Sequence, residues 1–200
     1  TNANVTITGA PTNKTYGDAD FTLTAAAANP GTGTGAWKWS SSDSSVLSVT
    51  GAGTTATVKI LKAGSASISA KFESGTTVDT ETTATITVDK ATITVAAKDQ
   101  SIYVNGTAPD LTSPVKGTHY TVTGLVGSDT LVGTITMEYQ KSGTAATPDV
   151  TKAGTYDIVI SGVTEPTGGN YNAIVFKTAT LSIHRNIIVK LRLLYGSDAQ

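Results

Sequence analysis

The side chains able to do chemistry are few and scattered. The only histidines are His119 and His184. No H-x-x-x-H or H-x-H spacing joins them, and a zinc site needs three or four ligands. Each reads as a lone histidine at the surface or edge of a strand. Cysteine is absent, which removes disulfides, thiolate metal sites and cysteine nucleophiles. Serine is plentiful, but no G-x-S-x-G elbow occurs and no histidine–aspartate set accompanies any serine. Gly31-Thr32-Gly33-Thr34-Gly35 has the glycine density of a phosphate loop. It lacks the Lys-Ser/Thr ending and the following helix whose N-terminus would hold an anion, so it reads as a hairpin loop. Asp18 and Asp20 form a D-x-D pair beside Gly17. They are the calcium candidates, because oxygen-rich turns hold Ca²⁺ when six or more oxygens converge. Asp43 and Asp129 also lie in turn sequences, where carboxylates more often cap their own backbone amides. A Lys–Asn isopeptide cross-link would need a buried lysine. Lys59, Lys71 and Lys98 are strand lysines, and parity turns Lys59 outward between Val58 and Ile60. Tyr120, Tyr139, Tyr156 and Tyr171 could build a glycan platform. No catalytic or cofactor-binding residue is expected.

The elements that would carry these residues are strands. Threonine occurs 38 times and glycine 20 times, and the only methionine is Met137. Threonine and valine favour a pleated, half-buried surface, whereas helices favour Ala, Leu, Glu and Lys. Apolar and polar residues alternate in Val5-Thr6-Ile7, Phe21-Thr22-Leu23, Val58-Lys59-Ile60, Ala66-Ser67-Ile68-Ser69-Ala70 and Ala84-Thr85-Ile86-Thr87-Val88. A period of two puts one set of side chains on a core face. Turn signals separate the runs at Asn29-Pro30-Gly31, Ser41-Ser42-Asp43, Gly51-Ala52-Gly53 and Ser74-Gly75. Further strands are expected over 91–97, 101–104, 119–124, 133–139, 154–161 and 171–183. Trp37 and Trp39 share one face of their strand, and one of them is expected to fill the centre of the core.

The pattern repeats. Asn13-Lys14-Thr15-Tyr16-Gly17-Asp18 opens one copy and Ala84-Thr85-Ile86-Thr87-Val88-Asp89-Lys90 closes it. Gln100-Ser101-Ile102-Tyr103-Val104-Asn105-Gly106 opens the next and Ala179-Thr180-Leu181-Ser182-Ile183-His184-Arg185 closes it. Tandem repetition of a supersecondary unit points to a string of modules rather than a catalytic body. The expected fold is all-β: two tandem antiparallel β-sandwich domains, 1–90 and 91–184, followed by a C-terminal extension, 185–200. Val88-Asp89-Lys90-Ala91 contains no Pro/Gly linker, so the junction should be short and stiff, giving an end-to-end rod. The extension carries both arginines, no threonine, and Val189, Leu191 and Leu193 on one face. Such a strand is expected to pack on something rather than stand unpaired.

The net charge of −1 gives no electrostatic case for nucleic acid or an anionic membrane. No run approaches the roughly 18–20 apolar residues of a membrane span. Thr1 opens without a signal peptide, so the chain is expected to be a fragment or a mature piece.

Trp39-Ser40-Ser41-Ser42-Asp43, then Val46, Val49, Gly51 and Val58, then Ala63-Gly64-Ser65-Ala66-Ser67-Ile68-Ser69-Ala70 resemble the bacterial immunoglobulin-like (Big) domain. Tyr16-Gly17-Asp18 fits openings seen in such surface repeats. Residues 91–183 resemble the MBG-type repeat of bacterial surface proteins. The matching pieces are Leu125-Val126-Gly127-Ser128-Asp129-Thr130-Leu131-Val132-Gly133, Ala153-Gly154-Thr155-Tyr156-Asp157-Ile158, Gly169-Asn170-Tyr171 and Thr180-Leu181-Ser182-Ile183. The opening departs from that family's usual Tyr-Gly-Asp, with Tyr103-Val104-Asn105-Gly106 in its place, so the turn there is expected to differ. The resemblance implies that the two sandwiches are immunoglobulin-like, with core or corner packing for Tyr156 and Tyr171, and a place in an exported or wall-attached bacterial protein. The expected function is that of a non-catalytic stalk segment, extracellular or on the bacterial cell surface, whose partners are neighbouring modules of the same protein. The alternative is an adhesin or carbohydrate-binding module that meets a host glycan or matrix protein through loops 29–36, 113–119 and 140–149.

Overall fold

The computed structural model describes residues 2–32, 34–74 and 80–186. Gly33, the Gly75 end of the Ser74-Gly75 turn, and residues 187–200 of the C-terminal extension, with Val189, Leu191 and Leu193, lie outside the described residues. The described chain is all-β. By contact density it groups into two compact units: Thr1–Thr94 with Val122–Thr134 and Val163–Val175, and Val95–Thr121 with Ile135–Gly162 and Phe176–Gln200.

In the first repeat the strands are β1 (Val5–Thr8), β2 (Asn13–Thr15), β3 (Phe21–Ala27), β4 (Ala36–Ser41), β5 (Leu47–Thr50), β6 (Thr55–Ile60), β7 (Gly64–Glu73) and β8 (Thr80–Asp89). They form two four-stranded sheets, β1-β3-β6-β5 and β2-β8-β7-β4. The alternation of Phe21-Thr22-Leu23-Thr24-Ala25 sends Leu23 and Ala25 inward and the threonines to water, as a pleat requires. Leu23, Leu47 and Val58 of one sheet meet Ile68, Ile86 and Val88 of the other in a single core. Leu23, Leu47, Val58, Ile68 and Ile86 have no exposed surface, so each contributes roughly 1.5–3 kcal/mol of burial.

In the second repeat the strands are β9 (Thr94–Ala97), β10 (Gln100–Tyr103), β11 (Tyr120–Thr123), β12 (Val132–Lys141), β13 (Thr144–Ala145), β14 (Gly154–Thr164), β15 (Val175–Lys177) and β16 (Ala179–His184). The sheets are β10-β16-β14-β12-β13 and β11-β9-β15. Ile158, Leu181 and Ile183 form a core with Leu111 and Ala179, and Ile102, Val104, Met137 and Tyr139 pack against it.

Antiparallel pairing joins β1–β3, β3–β6, β5–β6, β4–β7 and β7–β8 in the first repeat and β14–β16 in the second, and parallel pairing occurs at one matching place in both. β2 runs parallel to β8, pairing Thr15 with Asp89, and β10 runs parallel to β16, pairing Tyr103 with His184. In both repeats the chain leaves its first strand, crosses to the other sheet, and lies along the last strand. Gly9, at φ 85°, stands in the first crossing.

Two expectations change. Neither indole fills the core centre, which is aliphatic. Trp37 and Trp39 are half-buried on β4, an edge strand. Trp37 leans on Phe72, ring centroids 5.0 Å apart, and the Trp39 Nε1–H donates to the Gly53 carbonyl at 2.8 Å. An edge position keeps the indole N–H within reach of a loop carbonyl, which a dry core would not supply. The single strand expected over 171–183 is two strands, β15 and β16, which belong to different sheets. Its run of apolar residues hid a sheet switch at exposed Thr178.

Candidate functional site

The most elaborate polar constellation among the described residues lies in the first compact unit and centres on Asp129. Its position starts with the turn after β2. The parallel pairing continues one residue beyond β2, where the Tyr16 N–H donates to the Asp89 carbonyl at 2.9 Å. The chain then reverses. The Asp18 N–H donates to the Thr15 carbonyl at 2.9 Å, and the Thr15 N–H donates back to Asp18 Oδ2 at 2.8 Å. The turn needs Gly17, at φ 95°, for two reasons. A side chain is strained in that conformation, and a Cβ there would lie 2.5 Å from a methyl of Val126.

Val126 begins the tight turn that holds Asp129, whose N–H donates to the Val126 carbonyl at 3.0 Å. Asp129 Oδ2 accepts from the Tyr171 hydroxyl at 2.6 Å and from the Tyr16 hydroxyl at 3.2 Å. The Tyr171 oxygen in turn accepts from the Val126 N–H at 2.9 Å. The two rings stand edge to face, centroids 5.5 Å apart. Tyr171 is only 3% exposed, and burial first, then the hydrogen bond to Asp129, pushes its phenol up to about 12. Burial raises the Tyr16 phenol as well, Asp129 adds to the rise, and the Asn170 side chain offsets part of it.

The segment around Tyr171 is laced in place. The Ala63 N–H donates to Asn170 Oδ1 at 3.0 Å, and the Ala91 N–H donates to the Asn170 carbonyl at 2.9 Å. The Asn172 N–H returns to the Ala91 carbonyl at 2.9 Å, and its side-chain amide donates to the Lys90 carbonyl and the Thr92 hydroxyl. Chemically, this is one carboxylate holding two phenols in their neutral form. Raised phenols are poor acids and poor nucleophiles near neutral pH, so the arrangement is suited to locking segments together.

The residues named from sequence are dispersed. Asp18 and Asp20 are both exposed, and one Asp18 oxygen is taken by Thr15. Among the described residues no three His, Asp or Glu side chains converge as a metal set. His119 Nδ1 accepts from the Val115 N–H at 2.9 Å, closing the 113–119 loop on itself. His184 is exposed beside the Tyr103 ring. Asp43 holds the Ser45 hydroxyl and N–H. Lys59 faces water, Lys71 donates to Glu73, and Lys98 donates to the Gly117 carbonyl. The Tyr156 hydroxyl accepts from the Asp149 N–H at 2.8 Å, and Tyr120 is half-buried at the start of β11. In the 140–149 loop Asp149 holds the Thr151 hydroxyl at 2.6 Å and Lys152 at 3.0 Å; these bring its carboxyl down to about 2.

A second site lies wholly within the second unit. Pro109, Leu111, Met137, Tyr139, Ala146 and Pro148 line an apolar groove of about 340 Å³. The Tyr139 hydroxyl donates to the Pro109 carbonyl at 2.8 Å at its wall. Sequence reasoning named Tyr16, Asp129 and Tyr171 separately and missed their meeting. The usable signal was an acid in Leu125-Val126-Gly127-Ser128-Asp129 together with the Gly169-Asn170-Tyr171 and Tyr16-Gly17 pieces.

No protein-family model matches the chain. No curated protein matches it either. Among solved structures it is similar to domains 5–6 of the S-layer protein SbsC, at 13% identity and TM-score 0.32, over 92% of this chain and 97% of that one. It is similar to the N-terminal Ig1-2 module of the Drosophila receptor protein tyrosine phosphatase DLAR, at 17% identity and TM-score 0.28, over 90% and 98%. It is also similar to the protocadherin GammaB4 extracellular domain, at 8% identity and TM-score 0.33, over 91% of this chain and 33% of that one. At such scores the likenesses carry no argument about function.

Proposed function

We propose that the chain is a non-catalytic structural segment of a bacterial surface or secreted modular protein. Its repeats are a Big-type module at 1–90 and an MBG-type module at 91–184, and its role is to space and hold other modules. The observation that carries this reading is the Asp129 clamp. It ties Tyr16 of the first repeat to Asp129 and Tyr171 of the second with neutral phenols and a shared carboxylate. Such a device serves cohesion rather than turnover. The test is calorimetry on the intact chain and its Asp129→Ala variant. The reading expects a loss of about 2–3 kcal/mol, because the buried Tyr171 phenol and the half-buried Tyr16 phenol lose their charged acceptor. Unchanged unfolding, or turnover of any substrate by the purified chain, would sink it.

The groove at Tyr139 favours a second reading, an adhesive or carbohydrate-binding module on the same scaffold. An array of glycans and matrix proteins, probed with and without Ca²⁺, tests it. Saturable binding lost in a Tyr139→Ala variant would support this reading. Its absence across the array would leave the spacer role.

A further inference from the structure

The end of the first repeat that receives Val126, Asp129, Asn170 and Tyr171 has a backbone twin in the second unit. The Tyr16 N–H donates to the Asp89 carbonyl at 2.9 Å, and the Val104 N–H donates to the His184 carbonyl at 2.8 Å. The Asp18 N–H closes on the Thr15 carbonyl at 2.9 Å, and the Gly106 N–H closes on the Tyr103 carbonyl at 2.8 Å. The third turn residue has positive φ in both, 95° at Gly17 and 65° at Asn105. Gly64 pairs with Val88 and Gly154 pairs with Ile183, so Ala63 and Ala153 occupy the same place. In the first unit these positions are covered: Val126 against Gly17, Asn170 on the Ala63 N–H, and Asp129 with Tyr171 on Tyr16. In the second unit Ala153 and Asn186 are exposed, where their twins Ala63 and Ala91 are half-buried and buried, and Tyr103 is 62% exposed. Asn105, His184 and Arg185 are exposed, as are Gly17, Asp89 and Lys90. Two adjoining depressions that share Arg185 and Asn186 cover this end.

Resting on the spacer reading above, we propose that this end of the second unit is a docking surface for a further β-module. Its occupant is an acidic loop with different chemistry from the 125–129 loop. Three substitutions set that chemistry. Val104 has no hydroxyl where Tyr16 has one, so a carboxylate must find another partner. Arg185 follows His184 as Lys90 follows Asp89, and a guanidinium binds a carboxylate in bidentate fashion. Asn105 carries a Cβ at the place where one on Gly17 would collide with Val126, so the incoming loop carries a small residue there. Exposed Tyr103 and Arg185 supply the kind of anchors that dominate interfaces.

The test extends the chain: residues 1–186 are joined to a second copy of residues 92–184, with Asn186 standing where Ala91 stands. Amide exchange is read at Asn105, Gly106 and Ala153 against the unextended 200-residue chain. With Val126→Gly in the appended copy, the proposal expects exchange at these amides to slow by about tenfold or more, as tertiary docking does. Arg185→Glu should return exchange to the rate of the unextended chain. A Val104→Tyr/Asn105→Gly socket should slow exchange with the unaltered appended copy. If only that converted socket is protected, the proposed acidic-loop docking is wrong while the modular reading stands. If neither is protected and Asp129→Ala is also silent in calorimetry, the modular reading fails with it. Protection by a sulfated oligosaccharide, where no appended module gives any, would make this end a ligand site and overturn the proposal.

Discussion

The turns at 15–18 and 103–106 follow the same backbone path, yet the first has Val126, Asp129 and Tyr171 packed on Gly17 and a half-buried Tyr16, whereas Tyr103 at the second is 62% exposed. A single-residue offset of the tyrosine separates them. Tyr16 lies one position after the last β2 pair, where its ring turns toward its own core and Tyr171. Tyr103 lies on the last β10 pair itself, opposite His184, and Val104 takes the inward place. Because side chains alternate along a strand, one residue of slip moves an aromatic from one face to the other. The departure from Tyr-Gly-Asp at Tyr103-Val104-Asn105 therefore leaves the turn's backbone hydrogen bonds as they are and changes where the ring goes.

The largest way to break that contrast is truncation of the two rings. Tyr16→Ala should cost about 3 kcal/mol, as deletion of a packed aromatic does. Tyr103→Ala should stay within about 0.5 kcal/mol, as exposed positions do. Urea unfolding of both variants checks this, and equal costs would erase the distinction. The next effect is at the positive-φ residue. Gly17→Ala should lose about 2 kcal/mol from backbone strain and collision with Val126, whereas Asn105→Gly should shift stability by only tenths of a kcal/mol. Tyr171→Phe should lose about 1.5–3 kcal/mol, the usual worth of a hydrogen bond to a charged group.

Alkali gives a smaller and reversible handle. The Tyr171 phenol is raised from 10.0 to about 12, so the fold favours its protonated form. Its contribution is fully present below pH 10.0 and is lost as pH climbs toward about 12. Urea midpoints measured across that window should fall, and Tyr171→Phe should flatten the decline. A parallel fall in the variant would assign the effect to other tyrosines. The smallest effect is at acid pH. Asp149 is lowered from 3.8 to about 2, so its contribution is present above 3.8 and fades as pH falls toward 2. Asp149 is an exposed group, and its Asp149→Asn variant should barely differ from the parent in acid titration by circular dichroism.

The strands were legible because alternation of threonine with Val, Ile and Leu is a local signal that burial on one face enforces. Leu23, Ile68 and Ile86 could be placed in the core from parity alone. The tryptophans misled because size argues for the core centre, while edge position and the need for an N–H partner argue for β4. The 171–183 run misled because period two cannot report a change of sheet. The clamp was the least legible part. Tyr16 and Asp129 are separated by 113 residues, and Asp129 reads locally as a turn cap. Only folding brings its carboxylate under two phenols. The offset at Tyr103 was visible as a departure from Tyr-Gly-Asp, but which face the ring took depended on the parallel register with β16.

That parallel register has a mechanical side. β2 lies early in the first repeat, β8 ends it, and the two run in the same direction; β10 and β16 repeat the arrangement. Tension that draws the start of β2 backward and the end of β8 forward pulls the two strands past each other along their length. Their cross-strand hydrogen bonds are then loaded together in shear instead of being peeled open one at a time, so each repeat resists pulling through its strongest direction.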